Sequence, residues 1–274
     1  LSSSSAASDV YKRQDPYNTA QVVSVLDPIG GPYFAQTSGI TKSGDLLFAG
    51  TTWNGVNIFD VSVPETPFYV SNINTAITSL THDVVVSGNL AYAASTLAGF
   101  VIIDIDPPET PSIVNTVSTP GEPNGVAVAG GYAFVADYNM GLQIIDIDPP
   151  GSASIVQNVP LTGYSYNVVY SDGYAFVATN SDGLHIVDVD PPDSAFLLKT
   201  VATDGGAAGV TIIPGYAVVA DNWNGIVWVD IDPIEDADVV DTLQLGSAQC
   251  KTVTIDGNFA YVGTTDGLRI VKLM

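Results

Sequence analysis

A chain of 274 residues, 46% of them hydrophobic, carries enough apolar surface for a large core, which excludes disorder for its bulk. Seven Lys+Arg face 29 Asp+Glu, a net charge of −22. That balance disfavours nucleic acid and anionic membrane surfaces, both of which are bound through Lys and Arg. No apolar run approaches the ~18 residues of a membrane helix. The one cysteine, Cys250, can form no intramolecular disulfide.

Residues 1–14, LSSSSAASDVYKRQ, match nothing later in the chain and hold two of its basic residues, Lys12 and Arg13. SDVYKRQ resembles a translated sequencing adaptor, so this leader is expected to be non-native or disordered and is set aside. Asp15–Val25 then aligns with Asp106–Thr116 and is expected to be the outer strand, D, of a repeating unit. From there one block returns. Its marker is a Gly, an apolar strand and an Asp: Gly55–Asp60 (GVNIFD), Gly99–Asp104, Gly141–Asp146, Gly183–Asp188, Gly225–Asp230 and, ending in Lys, Gly267–Lys272. These glycines lie 44, 42, 42, 42 and 42 residues apart.

The third block shows the layout. Asn124–Ala129 predicts strand A, Gly130–Gly131 a tight turn and Tyr132–Ala136 strand B. Asp137–Met140 reads as a loop, Leu142–Ile147 as strand C, Asp148–Gly151 as a turn and Ser154–Val159 as strand D. Leu142 and Ile144 should face one side of strand C, Ile145 and Ile147 the other. A sheet apolar on both faces must be covered on both, which stacked neighbours accomplish. Four short strands per ~42 residues are the pattern of a β-propeller blade. The expectation is an all-β, six-bladed β-propeller over 15–274, its last blade completed by the opening strand D. A chain shortened at its start would make it seven-bladed.

LHIVDV (Leu184–Val189), LQIIDI (Leu142–Ile147), LRIV (Leu268–Val271), GYAFVAD (Gly131–Asp137) and GYAFVAT (Gly173–Thr179) resemble the strands of the LVIVD-repeat family. The resemblance implies a propeller of bacterial or archaeal proteins, often secreted or attached to the cell surface. It implies no catalytic motif.

Features common to the blocks serve every blade; features peculiar to one block are site candidates. The pairs Asp104/Asp106, Asp146/Asp148, Asp188/Asp190 and Asp230/Asp232 each precede Pro. They read as turn devices accepting backbone N–H groups before an extended exit, with a ring of Ca²⁺ sites as the alternative. Asn54-Gly55, Asp182-Gly183, Asn224-Gly225 and Asp266-Gly267 read as turns needing positive φ. His185 shares its slot with Asn57, Val101, Gln143, Val227 and Arg269 and is expected near the surface. Cys250 is expected to be a small buried residue, and Trp228 core.

The B–C and D–A loops of a propeller lie on one side. Trp53, Tyr138, Tyr164, Tyr166 and Trp223 sit there with Asp137, Asp182, Asp221 and Asp266, while His82 opens strand A of blade two beside Asp83. Aromatic rings beside carboxylates suit protein, peptide or carbohydrate ligands, the ring stacking and the polar groups orienting. These ten residues are the candidate ligand-binding set; no catalytic residue and no cofactor is assigned. The expected protein is a monomeric, non-catalytic binding propeller, extracellular or at the cell surface, which does not insert into membranes. One alternative is a glycan lyase or hydrolase at the channel mouth, needing two or more carboxylates or His82 to converge, and opposed if His82, Asp83, Glu122 and Asp204 diverge. The other is a calcium-stiffened structural module.

Overall fold

The structure, a computed structural model, describes residues 37–75 and 80–273. The leader and the opening strand, with the closure expected of it, lie outside the described residues. Two compact units divide between Val114 and Asn115. The first holds blade one, β1 to β4 (Thr37–Ser43, Leu46–Thr51, Gly55–Asp60, Phe68–Ile73). Blade two follows as β5 to β8 (Thr81–Ser87, Leu90–Ser95, Gly99–Asp104, Ser112–Val117), the division falling within β8. The second unit holds blade three, β9 to β12 (Gly125–Ala129, Tyr132–Ala136, Leu142–Asp146, Ser154–Val159), and blade four, β13 to β16 (Ser165–Ser171, Tyr174–Thr179, Gly183–Asp188, Phe196–Val201). Blade five is β17 to β20 (Gly209–Ile213, Tyr216–Ala220, Ile226–Asp230, Asp238–Leu243) and blade six β21 to β23 (Cys250–Asp256, Phe259–Thr264, Gly267–Lys272).

Each blade is an antiparallel meander. Among the described residues five sheets have four strands and the last has three. Predicted and observed strands of blade three agree to within one residue at each end. Short runs of Val, Ile, Phe and Tyr favour the pleated, buried surface, and glycines at positive φ (Gly130 at 58°, Gly131 at 84°) make the turn between A and B.

Stacking buries both blade faces, as the two-sided strand C requires. In the first unit Phe48, Val56 and Ile58 of blade one pack against Ala93, Val101 and Ile103 of blade two. In the second, Leu142 and Ile144 meet Ala175, Val177, Val187 and Val189 of blade four. The opposite face of blade four, Phe176, Leu184 and Ile186, meets Val219, Val227 and Val229 of blade five. Burying each such Val, Leu, Ile or Phe side chain contributes about 1.5–3 kcal/mol. Trp228 is half-buried against the next cluster, beside Val218 and Ile226.

Tethers repeat between neighbours within a unit. Strand D donates to the C–D turn of the following blade through Ser71 Oγ to Pro108 O (2.5 Å), Gln157 Nε2 to Ala195 O (3.4 Å) and Lys199 Nζ to Glu235 O (3.1 Å). In blades one, three, four and five the C–D ladder shifts register by a bulge, which blunts the outer edge against further strand pairing. Among the described residues no helix is long and apolar enough to cross a membrane.

Candidate functional site

The B–C loops begin at a slot filled by Thr51, Ser95, Asp137, Thr179, Asp221 and Thr264. A threonine there donates to the carbonyl of the glycine entering strand C: Thr51 to Gly55 at 3.1 Å, Thr179 to Gly183 at 3.0 Å, Thr264 to Gly267 at 2.6 Å. Where the slot holds Asp, the carboxylate reaches across to the D–A loop instead. Asp137 Oδ2 accepts from Gly121 N–H at 2.9 Å, and Asp221 Oδ2 from Gly205 N–H at 2.9 Å. Thr203 Oγ1 donates to Asp221 Oδ1 at 2.5 Å, and Asn224 Nδ2 to Oδ2 at 3.0 Å. Both carboxylates are fully buried, and burial pushes Asp137 above the usual carboxylate range, the Gly121 N–H opposing it while Oδ1 is buried without a donor. Two of the ten candidates therefore clasp loops together and show nothing to solvent. The signal for the clasp lay in the sequence: only the blocks with Asp in this slot carry Thr-x-Gly in the D–A loop, at Thr119–Gly121 and Thr203–Gly205.

Three other candidates converge. Tyr138 occupies the blade-three loop at φ 46°, a backbone region uncommon for side chains other than glycine. Its carbonyl accepts from Ser165 N–H at 2.8 Å, which fixes the loop to the start of β13. Tyr164 and Tyr166 flank Ser165, with Tyr166 at the bulge by which β13 shifts register on β14, and both rings reach Tyr138. Tyr138 and Tyr164 stack with centroids 4.4 Å apart and planes 6° apart, while Tyr166 lies 6.1 Å from Tyr138 at 58°. Tyr164 stays 44% exposed. Burial, then the neighbouring Tyr138 and Tyr164 hydroxyls, raises the Tyr166 phenol above its ordinary value. The result is a tyrosine platform between blades three and four.

The remaining candidates have other local partners. Asp182 accepts from Thr162 Oγ1, which pulls its carboxyl below the usual range, and its Oδ2 lies 3.9 Å from His185 Nε2. His185 is fully buried, contrary to the surface position expected for it. Its Nδ1 meets Thr200 Oγ1 at 2.8 Å and its Nε2 the Thr162 carbonyl at 3.1 Å; burial lowers its pKa, so the ring is neutral. Asp266 accepts from Thr264 Oγ1 (2.6 Å) and Arg269 Nη2 (2.8 Å), which hold it below the usual range. Trp223 is 59% exposed at the tip of its loop, between Asn222, which accepts from Lys251 Nζ at 2.8 Å, and Asn224.

In the first unit Trp53 is 56% exposed. It matches Trp223 in sequence but not in backbone: Trp53 itself takes φ 78°, whereas in the Trp223 loop Asn222 takes the positive φ, at 40°. His82 lies where β5 bulges and its Nε2 sits 2.9 Å from Thr96 Oγ1, while Asp83 Oδ1 accepts from Val84 N–H. Cys250 is fully buried, and burial raises its thiol above the ordinary value.

The repeated Asp pairs are turn devices. Asp104, Asp146, Asp188 and Asp230 each accept, through Oδ1, the N–H of the second Asp at 3.0–3.1 Å. The Asp–Pro bonds that follow are cis. Among the described residues no three His, Cys, Asp or Glu side chains stand together as metal ligands would.

Six such sheets, stacked face to face within each unit, are the blades of a six-bladed β-propeller. Solved structures, two of them β-propeller domains, share the fold. The WD40 β-propeller domain of Doa1 superposes with TM-score 0.72 at 12% identity, covering 88% of this chain and 79% of that one. The β-propeller domain of Cps50 (Swd1) from Myceliophteria thermophila gives 0.71 at 9%, covering 87% and 84%. The computationally designed Ika8 protein gives 0.66 at 9%, covering 87% and 71%. A family model, LVIVD repeat, matches residues 36–75, 80–119, 120–160, 162–203, 204–233 and 246–272, so the chain belongs to the LVIVD-repeat family. No curated protein matches it.

Proposed function

We propose that this chain is a non-catalytic binding propeller, displayed outside the cell or on its surface, that takes a carbohydrate or peptide ligand on the tyrosine platform. One observation carries the reading: Tyr138 and Tyr164 stack at 4.4 Å while Tyr164 keeps 44% of its surface exposed. A ring already fixed by its neighbour loses little freedom on binding, and its apolar face with a polar hydroxyl rim suits a pyranose or an amide plane. The family resemblance supports display outside the cell, and the net charge of −22 suits a solute kept apart from other copies.

Screening arrays of neutral oligosaccharides and of peptides, followed by calorimetric titration of the best binder, tests the ligand. Tyr164→Ala is expected to weaken binding at least tenfold and to leave the melting temperature within about 2 °C, because that ring is nearly half exposed and the backbone bonds of the loop stay in place. Undiminished binding by the variant would move the site elsewhere. Fractionating producing cells tests display: recovery from the lysate alone would remove that part of the reading.

A further inference from the structure

Blades four and five part at the ends of their strands away from the tyrosine platform. There they leave a groove of about 730 Å³. Ser165, at the platform end of β13, is six residues from Ser171 on the groove lining, about 20 Å along an extended strand. Tyr174 of blade four and Ile212, Ile213 and Ile234 of blade five make the walls apolar, over the buried Phe176. Two exposed carboxylates, Asp172 and Asp232, stand among them, and no Lys or Arg lines the groove.

The carboxylates are poised for a partner from outside. In blade two the counterpart of Asp232 is Asp106, whose Oδ2 accepts from Asn89 Nδ2 at 2.8 Å. Gly215 stands where Asn89 does, so no side chain at that position answers Asp232. Asp172 Oδ2 accepts from the adjacent Ser171 hydroxyl at 2.8 Å, a neutral partner that leaves its charge uncompensated. We propose that this groove docks a segment of another polypeptide in which a leucine-sized apolar side chain is flanked by lysine or arginine. The volume lies within the ~300–1,000 Å³ of ligand sites. The walls take the apolar side chain, the two aspartates take the flanking cations, and the net charge of −22 steers a basic segment toward the surface.

Fluorescence anisotropy with fluorescein-labelled Lys-Leu-Leu-Lys at 20 and 300 mM NaCl tests this. Saturable binding is expected. The double variant Asp172→Asn/Asp232→Asn should weaken it at least fivefold and flatten its salt dependence; asparagine tolerates the φ of 49° at position 172. Ile234→Ser, on a short surface turn, should weaken binding about fivefold with the salt dependence intact. Tyr164→Ala should leave it unchanged, which separates this groove from the platform. Thermal melts confirm that each variant is folded. No saturation below 1 mM, or equal binding by wild type and all variants, would reduce the effect to diffuse charge attraction and overturn the proposal. Self-association abolished by the double variant would give the groove to a second copy of the chain and overturn it equally.

Discussion

A histidine sealed between Thr200 and the Thr162 carbonyl cannot take up a proton without losing an acceptor's share of its hydrogen bonding or burying a charge. Its folded pKa therefore lies below the 6.5 of a free imidazole. The unfolded chain protonates first as pH falls, so the contribution of His185 to stability is whole above about pH 6.5 and is lost below it. The slope approaches about 1.4 kcal/mol per pH unit until the folded pKa is reached. Urea midpoints at pH 7.5, 6.5 and 5.5 should show wild type losing stability relative to His185→Gln, glutamine being the residue blade three holds in this slot. Parallel curves for the two proteins would exclude the neutral buried ring. The variety of the slot (Asn57, Val101, Gln143, Val227, Arg269) suggests a surface, yet all of these but the half-buried Arg269 are buried. Residue type could not reveal that, because Gln143 and His185 are buried through partners that sequence does not display, Gln143 Nε2 donating to the Met140 carbonyl at 3.3 Å, while the Asn57 amide is buried without one. Asp137 and Asp221 likewise turn inward, each with one oxygen taken by a backbone N–H of another loop.

Strand C enters its sheet through a glycine that no other residue replaces cheaply. At Gly183, φ is 90° and an added Cβ would stand 2.4 Å from the Val201 carbonyl oxygen; at Gly225 the Leu243 oxygen would be 2.1 Å away. Gly183→Ala must therefore both adopt a left-handed backbone and push strand D aside, a loss of about 2–4 kcal/mol. In a protein of this size that lowers the melting temperature by roughly 4–15 °C. Gly151→Ala, in open space on a C–D turn, should melt with wild type; similar effects from both changes would refute the argument. The constancy of this glycine is why the blades were legible. Its 42-residue spacing, the alternation of apolar residues and the turn pairs gave blade number and strand bounds directly. The loops were legible only as places. Tyr138, Tyr164 and Tyr166 were expected on one face, but their convergence depends on a bridge between the Tyr138 carbonyl and Ser165 N–H, a backbone contact between successive blades that leaves no mark on residue choice. Trp53 and Trp223 show the converse: equivalent in sequence, they sit on loops that place the positive φ at different residues.

At the scale of the whole chain, charge should govern stability more than any single pair. Twenty-nine Asp+Glu against seven Lys+Arg repel one another in the compact state, and unfolding relieves that repulsion. Raising ionic strength shortens the Debye length from about 30 Å at 0.01 M to about 10 Å at 0.1 M, so NaCl should raise the melting temperature by several degrees and then level off. The recurring Asp pairs invite a different expectation, that calcium stiffens the blades. Their first carboxylates already accept backbone N–H bonds at 3.0–3.1 Å, and a site of 6–8 oxygens would have to strip those away. Screening and specific binding separate at matched ionic strength. CaCl₂ is expected to stabilise no more than NaCl does, and EDTA to leave the melting temperature unchanged. An extra rise with calcium that EDTA reverses would mean that the pairs bind the ion after all, and the acidity of the chain would then mark metal sites rather than solvation.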